Sequence, residues 1–176
     1  ARSRSTGQKN QVRDKGQKPI AIIGISGLYP NAASLEEFWE NLKSGKNCIT
    51  EVPRKRWSLD GFYEPDEEKA IEQEKSYCKW GGFVDQFAEF DTLFFSIPPR
   101  EALIMDPQER MFLQCAWRAL ENSGYTRSTL KQKFGGNVGV FAGITRVGYN
   151  LYRTTAQSQE RVWPRTSFSS VANRLS

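Results

Sequence analysis

The chain has 176 residues, 38% of them hydrophobic and 12% aromatic, which suits one packed domain and excludes a fibrous or wholly disordered polypeptide. Its formal charge of +5 arises in residues 1–18, where Arg2, Arg4, Lys9, Arg13, Lys15 and Lys18 oppose Asp14 alone, so the remainder is neutral and shows no basic face of a nucleic-acid binder. There is no histidine, which excludes any mechanism that draws an imidazole base from this chain.

Residues 1–18 are rich in Ser, Gln and Lys and read as a basic flexible leader: a solvated linker, a docking arm or a cloning remnant. Residues 19–25, Pro-Ile-Ala-Ile-Ile-Gly-Ile, form a continuous apolar run, the pattern of a strand buried on both faces of a parallel sheet. A tight turn at 24–27 follows. The dinucleotide fingerprint Gly-x-Gly-x-x-Gly is not met, because Ser26 stands where its second glycine belongs. Ser34 and Glu37 then suggest a capping box, with Leu35, Phe38, Trp39 and Leu42 on one helical face and Gly45 as the stop.

Between residues 48 and 96 the periodicity is lost: Pro53, Gly61, Pro65, Gly81 and Gly82 interrupt a long, mostly irregular excursion, a length that signals a functional or interface role. Within it Arg54, Lys55 and Arg56 adjoin Trp57. Two readings stand level there: a docking point for an acidic partner or a phosphate, and a solvated turn anchored by the tryptophan. Residues 66–75 read as an exposed short helix or loop, residues 79–85 as a short strand, and Phe87, Phe90, Leu93, Phe94 and Phe95 as an apolar cluster tying the excursion down.

The strongest helix signal follows. Asp106 is suited to cap, Pro107 to the first turn, and Glu109 to complete a capping box. Beyond them Met111, Phe112, Leu113, Cys115, Ala116, Trp117, Ala119 and Leu120 leave one polar ridge, Arg110, Gln114, Arg118 and Glu121, before Gly124. That predicts a helix buried on most of its circumference. Residues 130–136 read as a linker and 137–144 as a second core strand, in which Gly139, Ala142 and Gly143 allow close approach of a helix or ligand. Residues 149–155 suggest a short helix, 157–161 a polar loop, and Phe168, Val171, Ala172 and Leu175 a last helix over 166–176. With so few core strands the sheet would keep open edges, so the sequence reads as part of a larger domain.

Cys48, Cys78 and Cys115 lie far apart, with no Cys-x-x-Cys pair, so neither a zinc site nor a disulfide framework is expected. With no apolar run long enough for a bilayer and no signal-peptide pattern, the expected location is cytoplasmic, away from membranes.

Taken together, residues 19–25, Phe38-Trp39, Val52-Pro53 with Arg56-Trp57, Gly81-Gly82-Phe83, Phe90-Asp91 with Phe94-Phe95, Arg100-Glu101-Ala102, the Met105 to Arg110 run Met-Asp-Pro-Gln-Glu-Arg, and Gly139-Val140-Phe141-Ala142-Gly143 resemble the start of a modular polyketide synthase ketosynthase domain. The resemblance spans residues 19–176, read as the N-terminal part of that domain. Ile97-Pro98-Pro99 and residues 167–174 look more like the subgroup served by separate acyltransferases.

The resemblance implies a thiolase-like α/β fold, layered αβαβα, a homodimer, and decarboxylative Claisen condensation. In that family a cysteine takes an acyl chain from the phosphopantetheine arm of an acyl carrier protein, and two histidines assist decarboxylation. The family's Cys-Ser-Ser type motif and both histidines match no position here, so no residue of this chain is assigned a catalytic, cofactor-binding or metal-binding role. The expected partners are the acyl carrier protein and the remainder of the domain, with Arg54, Lys55 and Arg56 as docking candidates. A non-catalytic ketosynthase-like scaffold that binds carrier protein is the alternative, and a Rossmann-like nucleotide binder is disfavoured by the broken fingerprint.

Overall fold

The computed structural model describes residues 19–145, 149 and 167–175. The expected leader, the polar loop at 157–161 and nearly all of the short helix expected at 149–155 lie outside them.

Helix α1 (Leu35–Lys43) begins where the Ser34 side chain accepts the Glu37 N–H, while the Glu37 carboxylate accepts the N–H of Ala33, one residue before the cap. Gly45, at φ 63°, turns the chain out of the helix. Phe38 stacks on Tyr29 at 3.8 Å, whereas Trp39 and Leu42 of the same face stay exposed.

The excursion is held by short pieces. Strand β1 (Thr50–Glu51) pairs antiparallel with β2 (Trp80–Gly81), Thr50 opposite Gly81, and the Val52 N–H extends the pairing to the Lys79 carbonyl. The Ser76 N–H donates to Phe62 and its carbonyl accepts from Glu64, so the segment between closes on itself around α2 (Glu67–Glu72), capped by Asp66. Gly82 is required for a close approach: a Cβ there would sit 2.8 Å from Cγ of Pro30. The expected aromatic cluster forms in part, with Phe95 stacked on Phe90 and Phe94 edge-on to both Phe95 and Trp117, while Leu93 stands 89% exposed and Phe87 lies against Arg56 instead.

Helix α3 (Pro99–Ile104) starts on Pro99 without a side-chain cap. Met105 then turns extended and α4 (Pro107–Asn122) begins, its first turn held by Asp106, whose carboxylate accepts the Gln108 N–H at 2.9 Å. The helix ends at Ser123, and Gly124 follows at φ 72°. Apart from Val52 beside β1 and Ala70 on α2, the buried side chains lie along this junction and on α6 (Phe168–Asn173): Ala102, Met105, Asp106, Glu109, Leu113 and Val171.

Several expectations are corrected. Residues 19–25 form no ladder: Ile20 is 96% exposed, and the segment is fastened instead to the end of α4, where the Ile25 N–H donates to Asn122 Oδ1. Gly24 lies so close to that end that a Cβ would meet the Ala119 carbonyl oxygen at 2.4 Å. Residues 137–144 are likewise unpaired, with Phe141 96% exposed. The pattern of a doubly buried strand is present in both, but no neighbouring strand among the described residues offers hydrogen bonds. Helix α4 is not buried all round, since Trp117 and Leu120 face outward. The linker expected at 130–136 is mostly helix: α5 (Arg127–Phe134) is started by a reciprocal Thr126–Thr129 capping box and stopped by Gly135 at φ 64°, and Phe134 packs against Tyr125.

Candidate functional site

Three groups of side chains carry chemistry: a buried carboxylate on α4, the basic turn at 54–56, and the three thiols.

Glu109 is 1% exposed. It does not complete a capping box, because Asp106 alone holds the first turn and the Glu109 side chain points to α6. One of its oxygens accepts the Ser170 hydroxyl, and the other accepts Arg174 Nε at 3.2 Å. Arg174 continues through Nη1 to Glu101 on α3 at 2.9 Å. One guanidinium thus binds two carboxylates, each contact a charge-assisted hydrogen bond. Removing one partner of a fully buried pair costs about 3–5 kcal/mol; Arg174 keeps part of its head in water, which favours the low end. The sequence reading missed this cluster. The available signal was Ser170 and Arg174, four residues apart and so on one face of a helix.

The polar ridge of α4 has a use as well. Arg110 Nη1 donates to the Ala88 carbonyl at 3.3 Å and Gln114 Nε2 to that of Glu89 at 3.2 Å, clamping the end of the excursion. Arg56 grips the same loop. Its guanidinium donates to the Val84 carbonyl and lies 3.5 Å above the centre of the Phe87 ring, an enclosed cation–π contact.

The basic turn is therefore divided. Arg56 faces inward, whereas Arg54 and Lys55 are exposed. Lys55 Nζ lies 2.9 Å from Asp85, and that hydrogen bond, with the Lys55 charge behind it, holds the Asp85 carboxyl below its usual range.

Cys78 is exposed and Cys48 half-buried. Burial pushes the Cys115 thiol up, against opposing pulls from Arg118 and a hydrogen bond with Ser26. Among the described residues the three thiols are free, and no group of three or more Cys, Asp or Glu side chains is arranged to hold a metal ion. No helix there is long and apolar enough to cross a membrane.

Residues 17–176 match the model of the beta-ketoacyl synthase N-terminal domain. The chain belongs to the beta-ketoacyl synthase family. Polyketide synthase PksL of Bacillus subtilis is 47% identical over 174 residues, covering 96% of this chain and 4% of PksL. Polyketide synthase ThaG of Burkholderia thailandensis is 46% identical over 158 residues, covering 89% of this chain and 3% of ThaG. Among solved structures, the oxazolomycin ketosynthase domain OzmH KS7 of Streptomyces albus JA3453 is 40% identical, with a TM-score of 0.73 over 88% of this chain and 26% of that one. The ketosynthase from module 6 of the bacillaene synthase of Bacillus subtilis is 44% identical, with a TM-score of 0.54 over 62% of this chain and 18% of that one. The fold class is accordingly the α/β, thiolase-like one of ketosynthases, of which this chain spans an N-terminal part.

Proposed function

We propose that this chain is the N-terminal part of a polyketide synthase ketosynthase that condenses acyl chains on acyl carrier proteins by decarboxylative Claisen chemistry. The observation that carries the reading is the family match across residues 17–176. The ketosynthase likeness at 40% identity and a TM-score of 0.73 supports it. Residues 97–99 and 167–174 favour the subgroup served by separate acyltransferases.

In this reading the present chain supplies framework. Condensation needs a thiolate that serves as nucleophile and leaving group, beside donors aimed at developing negative charge. A chain without histidine, whose three cysteines match no position of the family's Cys-Ser-Ser type motif, supplies neither partner of that pairing. The nucleophile and the imidazoles therefore belong to sequence outside residues 1–176. The two exposed apolar runs, 19–25 and 137–144, become strands when the rest of the sheet provides their ladder partners, and the complete cytoplasmic enzyme is a homodimer. It holds no cofactor of its own; the phosphopantetheine arm arrives on the carrier protein. Of the docking candidates, Arg54 and Lys55 face the acidic carrier, and Arg56 shapes the turn that presents them.

The test compares residues 1–176 with the same chain extended by the complementary downstream segment, measuring acyl loading from a thioester and extender condensation by mass spectrometry. Loading and product are expected only for the extended protein. Product from residues 1–176 alone, or none from the extended chain, overturns the reading. Charge reversal of Arg54 and Lys55 should weaken carrier-protein binding, and more so at low salt.

A further inference from the structure

Glu109 is the most completely buried charged side chain among the described residues, and its two carboxylate oxygens are spent on Ser170 of α6 and on Arg174, the residue that ends that helix. Helix α6 has six residues, too few to persist without tertiary support. Its apolar contribution is small: Val171 is buried, but Phe168 is largely exposed. Apolar contact resists separation yet is non-directional and leaves sliding and rotation open. The polar contacts do not. Ser170 and Arg174 stand one helical turn apart, so they reach the two oxygens of one carboxylate in a single rotation and a single axial position of α6. The further bond from Arg174 to Glu101 adds a third fixed point on α3.

We infer that Glu109 is a positioning residue: its carboxylate sets the orientation of α6 against α4 and α3, and through it the course of the chain that α6 carries. The consequence for acyl transfer rests on the ketosynthase reading; the structural claim does not. A charge-assisted hydrogen bond contributes roughly 1.5–3 kcal/mol, equivalent to at least about a tenfold change in local opening.

The experiment follows amide hydrogen exchange in the whole polypeptide that contains this chain, for wild type, Glu109→Gln, Ser170→Ala and Arg174→Lys. Glu109→Gln keeps the side-chain shape and the acceptor for Ser170 but removes the charge. It should speed exchange at residues 171–174 about tenfold or more, with residues 113–122 almost unaffected. Ser170→Ala, which removes one hydroxyl, should produce a smaller change at the same amides. Arg174→Lys keeps the charge but loses the fork to Glu101, and should fall between wild type and Glu109→Gln. Acyl loading should lose kcat with little change in KM. Unchanged exchange in α6 for both Glu109→Gln and Ser170→Ala overturns the inference. So does acceleration spread evenly over α4 and α6, the mark of general destabilisation. A wild-type polypeptide that loads no acyl group refutes the ketosynthase reading and leaves the exchange result to decide the inference separately.

Discussion

Asp106→Ala tests how the longest helix begins. Asp106 is 3% exposed and its Oδ1 accepts the Gln108 N–H at 2.9 Å, inside the first turn of α4. Losing a capping side chain costs about 0.5–2 kcal/mol, and here the site is buried, so water does not replace the lost acceptor. The upper end applies, about 2 kcal/mol, or roughly a thirtyfold rise in the unfolding constant. Asp106→Asn keeps an oxygen in the same place and should recover most of the loss. The assay is urea denaturation followed by far-UV circular dichroism, with the midpoint and slope fitted for both variants. A midpoint for Asp106→Ala equal to wild type refutes the role of the carboxylate as the cap. Equal losses in Ala and Asn variants refute the hydrogen bond as the cause and point to the negative charge at the helix start.

Gly24→Ala would place a Cβ 2.4 Å from the Ala119 carbonyl, and backbone cannot yield cheaply, so a loss of about 1–3 kcal/mol is expected; a neutral result in denaturation would mean that residues 19–25 do not rest on α4. For Asp85, whose carboxyl is held low by Lys55, the ion pair's stabilisation is present above the usual carboxylate range and lost as pH falls through the depressed value. Lys55→Ala should raise the Asp85 titration toward the ordinary range in an NMR pH series, and an unmoved midpoint would reject the pairing. Alkylation mapped by mass spectrometry should reach exposed Cys78 well before Cys115, whose thiol is pushed up by burial; the reverse order would contradict that environment.

The sequence by itself determined the local punctuation. Ser34, Asp66, Asp106 and Thr126 all cap helices, and Gly45, Gly124 and Gly135 take the left-handed turn, because capping and backbone freedom are properties of a few adjacent residues. Of these, Ser34, Asp106, Gly45 and Gly124 are legible from the residues alone, whereas the start at Thr126 is hidden among polar neighbours. The motifs along residues 19–176 also sufficed to indicate the family, since they carry their information as residue identities in order. What only the tertiary structure decided is where a side chain spends its bonding capacity. Glu109 has the sequence position of a capping-box residue and bonds instead to partners 61 and 65 residues away. Arg56 sits among exposed cations and is drawn inward by Phe87 and the Val84 carbonyl. Residues 19–25 and 137–144 carry strand patterns, yet a strand is a relation between segments, and neither becomes one without a neighbour to complete its hydrogen bonds.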